Sequence, residues 1–210
     1  MASRLLYVMD PMCSWCWGFA PVVEALAEQA AVDGVPLQIV TGGLRRDQVA
    51  INAAARVRYL GYWQAVNAST GQLFDFERGL PEGMVYDTEP ACRALVTARN
   101  LDASSAWILL RLIQRAFYAQ GADVTQASVL VELAERAGIP RIEFAEAFDS
   151  QAMQEATAAD FTWVQDLGIA GFPTLLAERD GQLALLTNGY QPLEVLAPLL
   201  GRWLERAARA

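Results

Sequence analysis

Arg4 to Met9 reads as a short interior strand: five apolar residues in a row, closed by Asp10 and Pro11. After Pro11-Met12-Cys13-Ser14-Trp15-Cys16 the period changes. Phe19, Val22, Val23, Leu26 and Ala30 recur at helical spacing, so one face of a helix is apolar. Pro21 lies inside that helix and offers no amide N–H to the turn behind it, which predicts a kink rather than a break. Asp33-Gly34 stops the helix, Val35 to Thr41 predicts a second strand, and Gly42-Gly43 closes a βαβ unit.

From Arg45 to Leu167 the pattern predicts helices. Thr88 is placed to cap one that carries Ala91, Ala94, Leu95 and Ala98. Asp102 caps the next, with Ala106, Leu109, Leu110, Ile113 and Phe117 on its apolar face. Further helices are predicted over Thr125 to Gly138, from Ile139-Pro140 onward, and from about Ser150 to Leu167. Strand periodicity then returns in Thr174 to Glu178 and Leu183 to Thr187, around the hairpin signal Asp180-Gly181. Pro192 opens a last helix bearing Leu193, Leu196, Leu200 and Leu204. The order βαβ, helices, ββα divides the chain into residues 1–43, an all-helical insertion over 44–167, and residues 168–210.

Composition narrows the chemistry. Of 210 residues, 54% are hydrophobic, enough for a sizeable core. No apolar run approaches the roughly 18 residues of a membrane span, and Leu5 to Met9 is shorter than the core of a secretory signal. A cytoplasmic protein is the expectation. Twenty-four acids against 16 bases leave a net charge of −8, which argues against nucleic acid or an anionic membrane as partner. All the bases are arginine, and histidine is absent. Histidine-based triads, Schiff-base lysines and histidine-ligated metals are therefore excluded. Zinc is disfavoured because a structural site wants four ligands and the chain has three cysteines.

Cys13 and Cys16 sit where the first strand hands over to the first helix. Amide N–H groups in a helix's first turn lack intrahelical partners, and the macrodipole adds positive potential, so a thiolate there is stabilised. Cys13 is the candidate nucleophile, with Cys16 one turn behind to resolve a mixed disulfide. No charged residue lies between Pro11 and Val23 to strengthen the effect, which predicts a weak oxidant. Asp10 is the nearest carboxylate and a candidate proton acceptor for Cys16, although a strand-end or capping role is the commoner fate of such a residue. Met12, Ser14, Trp15 and Phe172 are candidates for substrate contact, with Met12 and Trp15 expected to be exposed and Trp17 to lie in the core. Cys92 is expected to be a half-buried spacer in its helix; the alternative is that the insertion folds over the site and brings it near Cys13.

The segments CSWCWG and GFPT, with Tyr86 to Ala94 and Gln114 to Tyr118 between them, resemble the DsbA-like branch of the thioredoxin superfamily, and within it the cytoplasmic FrnE-like group of predicted disulfide isomerases. The resemblance implies a thioredoxin-like fold interrupted by a helical insertion, with Cys13 attacking and Cys16 resolving. It also implies that Pro173 is the cis-proline facing the pair, and that the backbone at Phe172 pairs with an extended substrate. It implies no bound cofactor, protein or small-molecule thiols and disulfides as partners, and glutathione as a candidate redox partner. DsbA itself has histidine between its cysteines where this chain has Ser14-Trp15, so strong oxidising power is not carried over. Two rivals remain. Kappa-type glutathione transferases and hydroxychromene carboxylate isomerases share the inserted architecture but commonly have serine at the position of Cys13. A peptide-holding chaperone would not need the thiols.

Overall fold

The computed structural model describes residues 3–208. Strands β1 (Ser3–Met9), β2 (Leu37–Thr41), β5 (Thr174–Arg179) and β6 (Gln182–Asn188) form one sheet in the order β2-β1-β5-β6. β1 runs parallel to β2, with Leu5 opposite Leu37 and Met9 opposite Thr41. It runs antiparallel to β5, with Tyr7 opposite Leu175. The apolar run of β1 lacks alternation because both faces are covered. Leu5, Tyr7 and Met9 point into the main core, while Leu6 and Val8 meet Val40, Leu176 and Val164 on the other side. At the β5–β6 turn Asp180 and Gly181 both adopt positive φ, 48° and 79°, matching the hairpin that the dipeptide predicts.

Helix α1 (Ser14–Val32) continues through Pro21. Proline cannot donate to the carbonyl of Trp17 one turn back. The Gln72 side chain donates to that carbonyl instead, at 2.9 Å, while the Trp17 indole N–H donates to the Leu73 carbonyl at 3.0 Å. The defect in α1 thus becomes an anchor for the insertion.

The insertion comprises β3 (Arg46–Ala50), α2 (Ala53–Thr70), β4 (Val85–Asp87), α3 (Glu89–Leu101), α4 (Ala103–Gln120), α5 (Ala127–Arg136), α6 (Arg141–Asp149) and α7 (Gln151–Asp166); α8 (Leu193–Ala208) follows β6. It is not all-helical, as the sequence pattern suggested: β3 and β4 pair as a small antiparallel ribbon, Arg46 opposite Asp87 and Ala50 opposite Val85. Most of β3 is exposed and β4 spans three residues, so neither carries the alternation that marks a half-buried strand. The insertion also closes the free edge of β2. Arg99 on α3 donates to the Ile39 carbonyl at 2.7 Å, and Asp160 on α7 accepts from the Thr41 amide at 2.9 Å. The two side chains form a bidentate ion pair at 2.9 and 3.0 Å. Backbone groups that would otherwise invite another strand are thereby satisfied.

Candidate active site

Asp10 shapes the turn between β1 and α1. Its carboxylate accepts the Met12 amide at 2.8 Å and its carbonyl accepts the Cys13 amide at 3.0 Å, with Pro11 supplying the fixed φ that such a turn wants. Cys13 then takes the N-cap position of α1 in an extended conformation (φ −88°, ψ 117°), with no side-chain hydrogen bond to the helix and no acidic residue in the first turn. Its thiol is aimed at the Phe172 carbonyl, 3.6 Å away, and its side chain keeps 6% exposure. Cys16 lies one turn on, fully buried. Burial pushes the Cys16 thiol well up from its ordinary value; the hydrogen bond and charge of Cys13 push the same way, and the Asp10 backbone opposes them. All three cysteines are free thiols.

The peptide bond between Phe172 and Pro173 is cis, and Pro173 is buried at the start of β5 beside the pair. Ser14, Trp15 and Phe172 are half-buried at this surface. Trp15 leans on Tyr190, ring centroids 5.7 Å apart. Trp17 is partly buried, with its ring stacked on Tyr118. Met12 corrects the sequence reading. It is fully buried, because the Asp10 turn directs it inward and its carbonyl accepts the Tyr86 hydroxyl at 2.7 Å. It supports the loop from within and offers no side-chain surface to a substrate.

Thr88 is a second correction. Its side chain makes no capping hydrogen bond to α3; the hydroxyl reaches Asp10 at 2.6 Å, and the Glu89 amide is taken by Asp87 at 3.0 Å. Cys92 is not half-buried but fully so, and its thiol lies 3.4 Å from the same Asp10 oxygen. That oxygen also accepts the Leu44 amide at 2.7 Å. The carboxylate is therefore turned toward the insertion, and Cys16 meets Asp10 through its backbone. Tyr86, Thr88 and Tyr190 were not singled out from the sequence as site residues. The first two lie in the stretch that carries the family resemblance, which is the signal that could have drawn attention to them.

Phe172 is held by its packing against Gly42. A Cβ at residue 42 would stand 2.0 Å from the Phe172 ring, so the ring occupies the space a side chain would need. Gly42→Ala should displace the ring, destabilise the protein by about 1–3 kcal/mol and slow alkylation of Cys13. Thermal melts and thiol-labelling rates check this; wild-type values for both would mean the ring is not fixed by that contact. A cavity of about 510 Å³ between α1 and α4 has Tyr7 and Gln114 in its walls but neither Cys13 nor Cys16.

Comparison with known proteins agrees with this geometry. The chain is 40% identical to a protein disulfide isomerase candidate from Nitrosomonas europaea, whose crystal structure superposes with a TM-score of 0.90 over 98% of this chain and 99% of that one. The cytosolic disulfide reductase DsbM from Pseudomonas aeruginosa is 29% identical, with a TM-score of 0.76 over 95% and 98% of the two chains; its structure with GSH aligns at 27% identity and 0.75. Among curated proteins, the ClpXP adapter protein SpxH of Halalkalibacterium halodurans is 21% identical over 199 residues, 91% of this chain but only 64% of that protein. No helix of the described residues is long and apolar enough to cross a membrane. Residues 4–201 match the DSBA-like thioredoxin domain, and the chain belongs to that family.

Proposed function

We propose that the protein is a cytoplasmic thiol–disulfide oxidoreductase that exchanges disulfides through Cys13 and Cys16, acting as a reductant or isomerase of protein or small-molecule disulfides. The observation that carries this reading is the Cys13 thiol at the N-terminus of α1, facing the Phe172 carbonyl, with Cys16 buried behind it.

In the first step the Cys13 thiolate attacks one sulfur of a substrate disulfide. A Cys13–substrate S–S bond forms, the substrate S–S bond breaks, and the departing thiolate takes up a proton. Cys16 then loses its proton and attacks the Cys13 sulfur. The second substrate thiol leaves, and the pair is left as a disulfide after giving up two electrons. Two molecules of an external thiol restore it, and glutathione is the candidate, since it is bound in the DsbM structure. No resident cofactor is needed. The Phe172 backbone is read as the strand against which an extended substrate lies, and Trp15 and Ser14 as its flanking contacts. Burial holds the Cys16 thiol protonated until it attacks the Cys13 sulfur.

Equilibrating the protein across glutathione buffers and counting free thiols by mass tests the reading. Cys13 and Cys16 should interconvert together, two thiols lost per oxidised molecule, while Cys92 stays free. A pair that stays reduced throughout, or two cysteines oxidising with unrelated midpoints, overturns it.

A further inference from the structure

Asp10 is where the insertion reaches the reactive loop. It is fully buried, and four donors converge on its carboxylate: the Met12 amide from the loop itself, the Leu44 amide from the start of the insertion, and the side chains of Thr88 and Cys92 at the start of α3. Two of the four are thus fully buried side chains contributed by the insertion.

We propose that Thr88 and Cys92 are positioning residues that hold the Asp10 carboxylate ionised behind the cysteine pair, and that this buried charge keeps the pair on the reducing side. The inference rests on the redox reading of Cys13 and Cys16. A carboxylate removed from water tends to neutralise unless hydrogen bonds stabilise its anion. Here burial does push the Asp10 carboxyl up, and the Leu44, Thr88, Met12 and Cys92 donors act against it. A fixed anion beside the cysteines disfavours a second negative charge, and its field is one of the influences that raise Cys16. Only the reduced pair can ionise to a thiolate; the disulfide is uncharged. An ionised Asp10 therefore stabilises the disulfide relative to the dithiol, which makes the pair the better reductant. The titratable and charged groups around Asp10 are Cys16 on α1, Cys92 on α3, Tyr86 and Tyr118, with Arg45 over the Tyr86 ring. Both tyrosines are pushed far above their ordinary range, chiefly by burial, so they stay neutral through the working pH.

The test uses the same glutathione equilibrium on the full chain at pH 7. Asp10→Asn should lower the equilibrium constant for oxidation by at least about tenfold. Thr88→Val and Cys92→Ala should shift it the same way by about two- to tenfold, since each removes one donor to a charged group. Cys92→Ser keeps a donor and should match wild type. In the Asp10→Asn background the Thr88 and Cys92 changes should add nothing. Wild-type constants for both single variants would overturn the proposal, as would equal shifts with and without Asp10, because a merely structural loosening does not depend on that charge. Should Asp10→Asn fail to fold, the single variants decide the matter by pH. Their difference from wild type should vanish once Asp10 is protonated, and a difference that persists in acid sinks the idea. A wild-type pair that never oxidises is a separate result, which defeats the redox reading itself.

Discussion

Replacing Cys13 with serine should cut disulfide exchange by at least about a thousandfold while leaving the fold unchanged. Serine nearly matches cysteine in size, so although Cys13 is buried at the N-cap of α1, little packing is lost. What disappears is the anion. A hydroxyl does not ionise near neutral pH, and no histidine exists in this chain to take its proton, so the helix terminus has nothing to activate. Cys16→Ser should behave differently. The first attack still proceeds, but the mixed disulfide has no internal thiol to release it, and the trapped adduct should be visible by mass. The pair of variants also separates the rival readings. Activity that survives both changes and still requires glutathione would point to a transferase or isomerase of the inserted-thioredoxin type. Undiminished suppression of client aggregation by the double variant would instead favour a holding role.

The thioredoxin-like frame was readable because its signals are local. The 3.6-residue period of α1, the unbroken run of β1 and the Asp180-Gly181 turn each follow from a few neighbouring residues. The spacing of Cys13 and Cys16 gains its meaning from the strand before it and the helix after it. Thr88 shows where that legibility ends. Seen locally it is a good helix cap, yet in the folded chain its hydroxyl is drawn to a buried carboxylate 78 positions earlier. A charged group in a dry interior outcompetes a helix terminus whose first amide Asp87 already satisfies. Met12 fails for the same reason: its inward orientation is set by Asp10 and Tyr86, not by its own hydropathy. Pro21 and Gln72 are the converse case. The missing amide predicted a defect, but only the tertiary structure shows which side chain fills it.

Trp63→Ala should cost about 3–5 kcal/mol, the largest loss of stability expected from any single change in the insertion. Trp63 on α2 is 1% exposed and sits among three aromatic rings: Tyr118 at 5.0 Å and Phe117 at 5.5 Å, both edge-on, and Phe74 at 5.4 Å. Gly79 leaves room for its outer edge, since a Cβ there would approach the indole to 2.4 Å. Removing the indole leaves a cavity that these rigid rings cannot collapse into, so transfer and cavity costs add. For a chain of this length the melting temperature should fall by roughly 6–20 °C. The effect should reach the chemistry too. Phe117 packs edge-on against Tyr86, centroids 6.0 Å apart, and Tyr86 holds the Met12 carbonyl beside Cys13. A loosened cluster should therefore raise the rate at which Cys16 is alkylated, since that thiol is reached only when the loop opens, while Trp63→Phe should recover much of the stability and protection. A melting temperature within 2 °C of wild type for Trp63→Ala would show that the insertion holds the reactive loop by some route other than this cluster.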